Sequence, residues 1–307
     1  MRVAVSFLIF VTYATQARSA RAREFTHVRG SSHTCEGVHT RAREFTHVRA
    51  EVPASHELAG AAQPSRLQPG RLANSEPAHL GQFPYQALIV GDHTSVCGGS
   101  LISEAWVLTS GLCAYHQSSF QVSLGLTNMS DSERGKKTFV SREAILHEDF
   151  NIYTFVNDIA LIHVTAHVIF SPLLSPVGLP AFADASQSYD DREVDVSGWG
   201  EMCDGGNYVD NLHFISTYVI SNARCAGVYP DYAVPASKLC TWDSRNEGLL
   251  HFDSGDPVVL RGQRGPVQVG VGSFSARSVC RAALPSAHTR VTAYLGWLNN
   301  HTRLIVA

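Results

Sequence analysis

An all-β domain closed by one C-terminal helix is the fold class this sequence predicts, on three observations. The texture changes at residue 72, from a polar, arginine-rich stretch to alternating apolar runs and turn residues. Those runs are short and separated by turn residues, the pattern of a sandwich or barrel. Only the last of them switches to a 3–4 residue apolar spacing, the period of a helix face.

Taken in order, the runs are Tyr85–Val90, Trp106–Thr109, Phe120–Leu126, Ile159–Val164, Val194–Trp199, Phe214–Ile220, Val267–Val271 and Ala287–Val291. The helical tail is read from Val291, Tyr294, Leu295 and Leu298, which fall on one face.

Upstream of residue 72 two segments stand apart. Residues 1–17 read as a signal peptide: Arg2 gives the positive end, Val3–Val11 a short apolar run, and Thr15-Gln16-Ala17 a small-residue cleavage site. That run is too short to span a bilayer, and no later run reaches about 18 residues, so no membrane anchor is expected. Residues 18–71 hold nine arginines against five acidic residues, and the nonapeptide Arg-Ala-Arg-Glu-Phe-Thr-His-Val-Arg occurs at 21–29 and again at 41–49. So few apolar residues cannot build a stacked repeat. The segment reads as a disordered pro-segment; a basic arm for an acidic partner and a gene-assembly duplication are the other readings. The chain carries a formal charge of −3, and residues 72–307 alone about −8. No whole-chain field recruits nucleic acid or an anionic membrane.

An exported chain forms disulfides. The seven cysteines are Cys35, Cys97, Cys113, Cys203, Cys225, Cys240 and Cys280, and the odd count leaves a free thiol or an intermolecular bridge. None has the paired short spacing of a zinc site, and neither a metal nor an organic cofactor is expected. Two sequons, at Asn128 and Asn300, suit glycosylation after export.

Four segments carry a family likeness. They are Arg71-Leu72-Ala73-Asn74 followed by Gly81-Gln82-Phe83-Pro84; Cys97-Gly98-Gly99-Ser100; Asn157-Asp158-Ile159-Ala160-Leu161; and Asp253-Ser254-Gly255-Asp256-Pro257. Gly198-Trp199-Gly200 and Thr289-Arg290-Val291 add to them. In this order they resemble the chymotrypsin-like serine proteases, most closely the brachyurin-like arthropod branch. The resemblance spans residues 72–307 and implies two packed six-stranded β-barrels with a cleft between them.

That chemistry needs three coupled groups: a serine hydroxyl, an imidazole that takes its proton, and a buried carboxylate that orients the imidazole. The resemblance assigns Ser254 as nucleophile and Asp158 as carboxylate. The family's Thr-Ala-Ala-His-Cys reads Thr109-Ser110-Gly111-Leu112-Cys113 here, so Leu112 occupies the histidine position. Leucine accepts no proton at any pH. His116 and His251 are the nearest substitutes in sequence; the fold implied would turn the first away from the cleft and set the second at the pocket rim.

Further departures cluster there. The oxyanion donors would be the N–H groups of Phe252 and Ser254, with phenylalanine where the family has glycine. Asp256 likewise replaces a glycine. Cys97–Cys113 and Cys225–Cys240 match family bridges. Cys280 matches half of a third whose other half is Leu250, which leaves a Cys203–Cys280 bridge, a Cys35–Cys280 tether or a free Cys280. Cleavage after Arg71 by a trypsin-like protease would free Leu72 to pair with Asp253, the family's activation step. A specificity pocket would have Gly248 at its base, Ser273, Phe274 and Ser275 along one wall and Ser286 behind, suiting apolar or small side chains. The sequence therefore predicts a secreted protease homologue that acts by binding a protein or peptide, such as an active protease or a protease inhibitor. The alternative is a weakly active serine endopeptidase cleaving after apolar residues.

Overall fold

A computed structural model describes residues 75–92, 95–129, 135–200, 210–229, 233–242, 254–263, 265–275 and 284–304. Fourteen strands, two short helices and a C-terminal helix follow one another over these residues. The first part runs β1 (Glu76–Pro77), β2 (Gln86–Gly91), β3 (Val96–Leu101), β4 (Trp106–Thr109), helix α1 (Gly111–Ala114), β5 (Phe120–Leu124), β6 (Lys137–Ser141), β7 (Ala144–Leu146) and β8 (Ala160–His163). The second part runs β9 (Glu193–Gly198), β10 (His213–Ile220), helix α2 (Asn222–Ala226), β11 (Lys238–Trp242), β12 (Pro257–Gly262), β13 (Gly265–Ser275), β14 (Ser286–Arg290) and helix α3 (Leu295–Thr302).

The first seven-stranded sheet has the order β6-β5-β2-β3-β4-β8-β7, antiparallel throughout. Among the described residues no ladder joins β6 to β7, so it forms a curled half-barrel. The second sheet has the order β1-β10-β11-β14-β13-β12-β9, and a further β9–β10 ladder closes six of its strands into a barrel. The all-β double-barrel class expected from the sequence is the one found.

In β5, Phe120, Val122 and Leu124 are buried together with Ser123, and only Gln121 is exposed, so the strand lies largely inside the sheet's core. In the second barrel Val194, Val196, Ile215, Val219, Leu239, Val258 and Val269 form the buried cluster. The tail begins as a 3₁₀ turn, Val291–Tyr294, before α3. Its four periodic residues are all buried, and they join the core of the first sheet. The chain's end thus returns from the second barrel to the first and fastens the two together.

Two disulfides brace this frame. Cys97 on β3 binds Cys113 on α1, and Cys225 on α2 binds Cys240 on β11. Each closes a loop of about 15 residues, for which chain entropy gives roughly 3 kcal/mol. Replacing Cys97 and Cys113 together by alanine is expected to lower the unfolding free energy by about that amount, read from urea denaturation. Cys35, Cys203 and Cys280 lie outside the described residues, as do residues 1–74 with the expected signal, pro-segment and Arg71–Leu72 junction. Among the described residues no helix is long and apolar enough to cross a membrane.

Candidate functional site

The two barrels meet along a buried polar seam. Ser100 Oγ donates to Gln268 Oε1 at 2.6 Å, Ser197 Oγ donates to Gln86 Oε1 at 2.7 Å, and Gln86 Nε2 donates to Asp256 Oδ1 at 3.2 Å. Buried polar groups persist only when paired, and these pairs span strands of both sheets, so they fix how the barrels face one another.

Asp158 enters the seam just ahead of β8. The preceding Asn157 takes a left-handed conformation, φ 55°, which asparagine tolerates better than most residues. Its side chain is held on both sides: Asn157 Nδ2 donates to Asp149 O at 3.0 Å, and Tyr294 OH donates to Asn157 Oδ1 at 2.9 Å. The turn delivers Asp158 to a fully buried position. There Oδ1 accepts the Leu112 N–H at 2.8 Å and Oδ2 accepts the Ser273 hydroxyl at 2.5 Å. Leu112 belongs to α1, whose first turn is capped by Ser110 Oγ accepting from Cys113 N.

Ser254 begins the turn that leads into β12. Its carbonyl accepts the Gly98 N–H at 3.0 Å, and the next residue's N–H donates to Gly272 O at 2.9 Å. Gly255 itself has φ 92°, a conformation glycine adopts without steric cost. The serine is thus held between β3 of one barrel and β13 of the other. Among the described residues Ser254 Oγ makes no hydrogen bond.

Beneath Asp158 lies a charge that sequence reasoning missed. Lys238, at the start of β11, is buried, and its Nζ donates to Ser273 Oγ at 2.7 Å and to Thr289 Oγ1 at 3.2 Å. Burial pushes its ammonium down to about 8, opposed by the Asp158 carboxylate. Burial likewise pushes the Asp158 carboxyl up. Lys238, the Ser273 hydroxyl and the N–H groups of Leu112 and Gly111 pull it back. Those donors all favour the ionised form. Beside them His288 is buried, with Nε2 2.9 Å from Thr241 Oγ1 and Nδ1 without a partner. The only hint of Lys238 in the sequence is a lysine opening the otherwise apolar Lys238-Leu239-Cys240.

A shallow, small pocket opens alongside, lined by Gly272, Ser273, Phe274, Ser275, Ser286, Ala287 and His288. The β13–β14 ladder pairs Phe274 with Ala287 and Ser275 with Ser286, which is why residues so far apart in sequence share one wall. Phe274 packs at 5.8 Å from Phe155 and 5.3 Å from Tyr229. The expected pocket residues Ser273, Phe274, Ser275 and Ser286 therefore come together. Gly248, Phe252 and Asp253 lie outside the described residues, and so does His251. His116 is exposed, its ring 4.0 Å from that of Tyr115.

A closed antiparallel β-barrel and a half-barrel joined across a polar seam, with a serine and a buried carboxylate in it, match the architecture of the chymotrypsin-like class. The comparisons agree. A family model described as Trypsin matches residues 73–298. The chain is 33% identical over 245 residues to the collagenase of Hypoderma lineatum, across 78% of this chain and 90% of that protein. It is also 33% identical over 221 residues to brachyurin of Leptuca pugilator, across 72% of this chain and 93% of that protein. The solved structure of HL collagenase matches with a TM-score of 0.67 at 31% sequence identity, over 75% of this chain and 98% of that one. This chain belongs to the trypsin-like serine protease family.

Proposed function

We propose that this domain is a protease homologue that binds a protein or peptide in its cleft and does not cleave it. The observation that carries the reading is the group beside Asp158. The residue whose N–H meets the carboxylate is Leu112, which we read as standing at the general-base position, with Asp158 and Ser254 as the remaining members of the triad. Leucine has no lone pair to take the Ser254 proton. Loss of the base alone costs on the order of 10⁶ in turnover in a related triad, or roughly 8 kcal/mol of transition-state stabilisation. Phe252 in an oxyanion position would weaken catalysis further.

The pocket walled by Phe274 and Ser273 supports capture of an apolar or small side chain, and a peptide, a protease inhibitor or an active protease would each supply one. Export, signal removal and cleavage after Arg71 by a trypsin-like protease complete the reading, with Leu72 then ordering the pocket beside Asp253. The test is hydrolysis of a broad fluorogenic peptide library after cleavage with immobilised trypsin, comparing the native chain with Ser254→Ala. Equal rates are expected. A native rate clearly above that of Ser254→Ala would identify a weakly active endopeptidase with an unrecognised base.

A further inference from the structure

A completely buried carboxylate needs hydrogen bonds and a compensating charge, because isolated buried ions are strongly disfavoured. The arrangement behind Asp158 supplies one. Ser273 Oγ accepts from Lys238 Nζ at 2.7 Å and donates to Asp158 Oδ2 at 2.5 Å. Thr289 Oγ1 accepts from the same Nζ at 3.2 Å and donates to the Asp158 main-chain oxygen at 2.7 Å. Each hydroxyl spends its one proton on Asp158 and a lone pair on the lysine, so the direction of every bond follows from the ammonium; the Ser273 relay ends on the carboxylate and the Thr289 relay on the peptide oxygen of the same residue. Two parallel relays, from β13 and β14, connect one lysine to one aspartate.

We propose that Lys238 is a positioning residue that neutralises Asp158 from behind, in the role a cleft-side imidazolium would otherwise fill. This rests on reading Leu112 as the occupant of the base position. The other groups around the ammonium fit the assignment. His288 adjoins it, and burial together with Lys238 holds that imidazole uncharged. The Phe274 ring lies 5.6 Å from Nζ. Arg290 donates through Nε to the Lys238 carbonyl at 3.1 Å and leaves the ammonium to the two hydroxyls. Asp158 is the anion that answers Lys238.

The consequence is that restoring the histidine alone does not restore the triad's electrostatics. An imidazole introduced at position 112 would face a carboxylate whose charge is already answered. Its protonated form would then gain less from Asp158 than in an unoccupied pair.

Two measurements test this. The first is a denaturation cycle of Lys238→Met, Asp158→Asn and the double variant. Each single change should lower the unfolding midpoint, and the double variant should recover most of the loss. Losses that simply add would overturn the proposal. The second is an NMR titration of the imidazole introduced by Leu112→His, with and without Lys238→Met. Removing the lysine should raise the imidazole midpoint by about one pH unit, a shift that a merely space-filling lysine would not produce. An unchanged midpoint would overturn the assignment. If Lys238→Met leaves the chain too unstable to titrate, the cycle decides. Neither readout needs peptide hydrolysis, so a failure here is distinct from a native rate exceeding that of Ser254→Ala.

Discussion

Acidification from pH 6.5 to pH 4 is expected to remove roughly 3 kcal/mol of folding stability through His288 alone, and His288→Gln should abolish that part of the loss. His288 is buried, and its Nδ1 has no partner that would stabilise a second proton. Burial, with the neighbouring Lys238 acting in the same direction, pushes the imidazole down to about 3. An unfolded chain binds the proton near pH 6.5. Between those two values the unfolded state is protonated and the native state is not, so each added proton favours unfolding. The contribution is fully present above about pH 6.5 and is lost as pH falls toward 3, at up to about 1.4 kcal/mol per pH unit. Urea midpoints at pH 4, 5, 6 and 7 measure it as the difference between the native chain and His288→Gln. Parallel curves would show that another group controls the acid limb.

Gly255→Ala should be costlier still, at about 4 kcal/mol, from backbone strain of 1–3 kcal/mol plus a similar cost of overpacking. At φ 92° an added Cβ is disfavoured before any contact is counted. It would also stand 2.2 Å from the Gly98 carbonyl oxygen and 2.2 Å from Thr109 Oγ1. Neither neighbour can retreat: Thr109 Oγ1 donates to Gly98 O at 2.8 Å, and the Gly98 N–H is committed to Ser254 O. Chemical denaturation would register the loss. A variant of near-native stability would mean that the turn after Ser254 can be rebuilt without its glycine.

The strands built on short apolar runs were legible from the sequence, and Trp106–Thr109 coincides with β4. The strands that escaped did so for identifiable reasons. Lys137–Ser141 is largely exposed and polar, so no hydrophobic alternation marks it. Lys238–Trp242 opens on a charge, although its residues are mostly buried. At the site, short local signatures pointed to Asp158 and Ser254, and the family resemblance implied the pocket wall. Lys238 and His288 were not legible. Their importance comes from β11, β13 and β14 lying side by side, a relation no local stretch encodes. Asp256 stood out in sequence as a replaced glycine, but its accommodation did not. Its carboxylate packs where side chains on Gly98 and Gly198 would be, with Cβ positions 1.8 and 1.9 Å from its oxygens.

Position 112 is attached to the carboxylate through its main-chain N–H alone, and the serine is tied to β3 by a bond between backbone atoms. Every amino acid except proline can supply the first of these links, and the second involves no side chain at all. The backbone links at these two positions therefore do not depend on which side chain stands at 112, and the frame around the site is held by the chain itself.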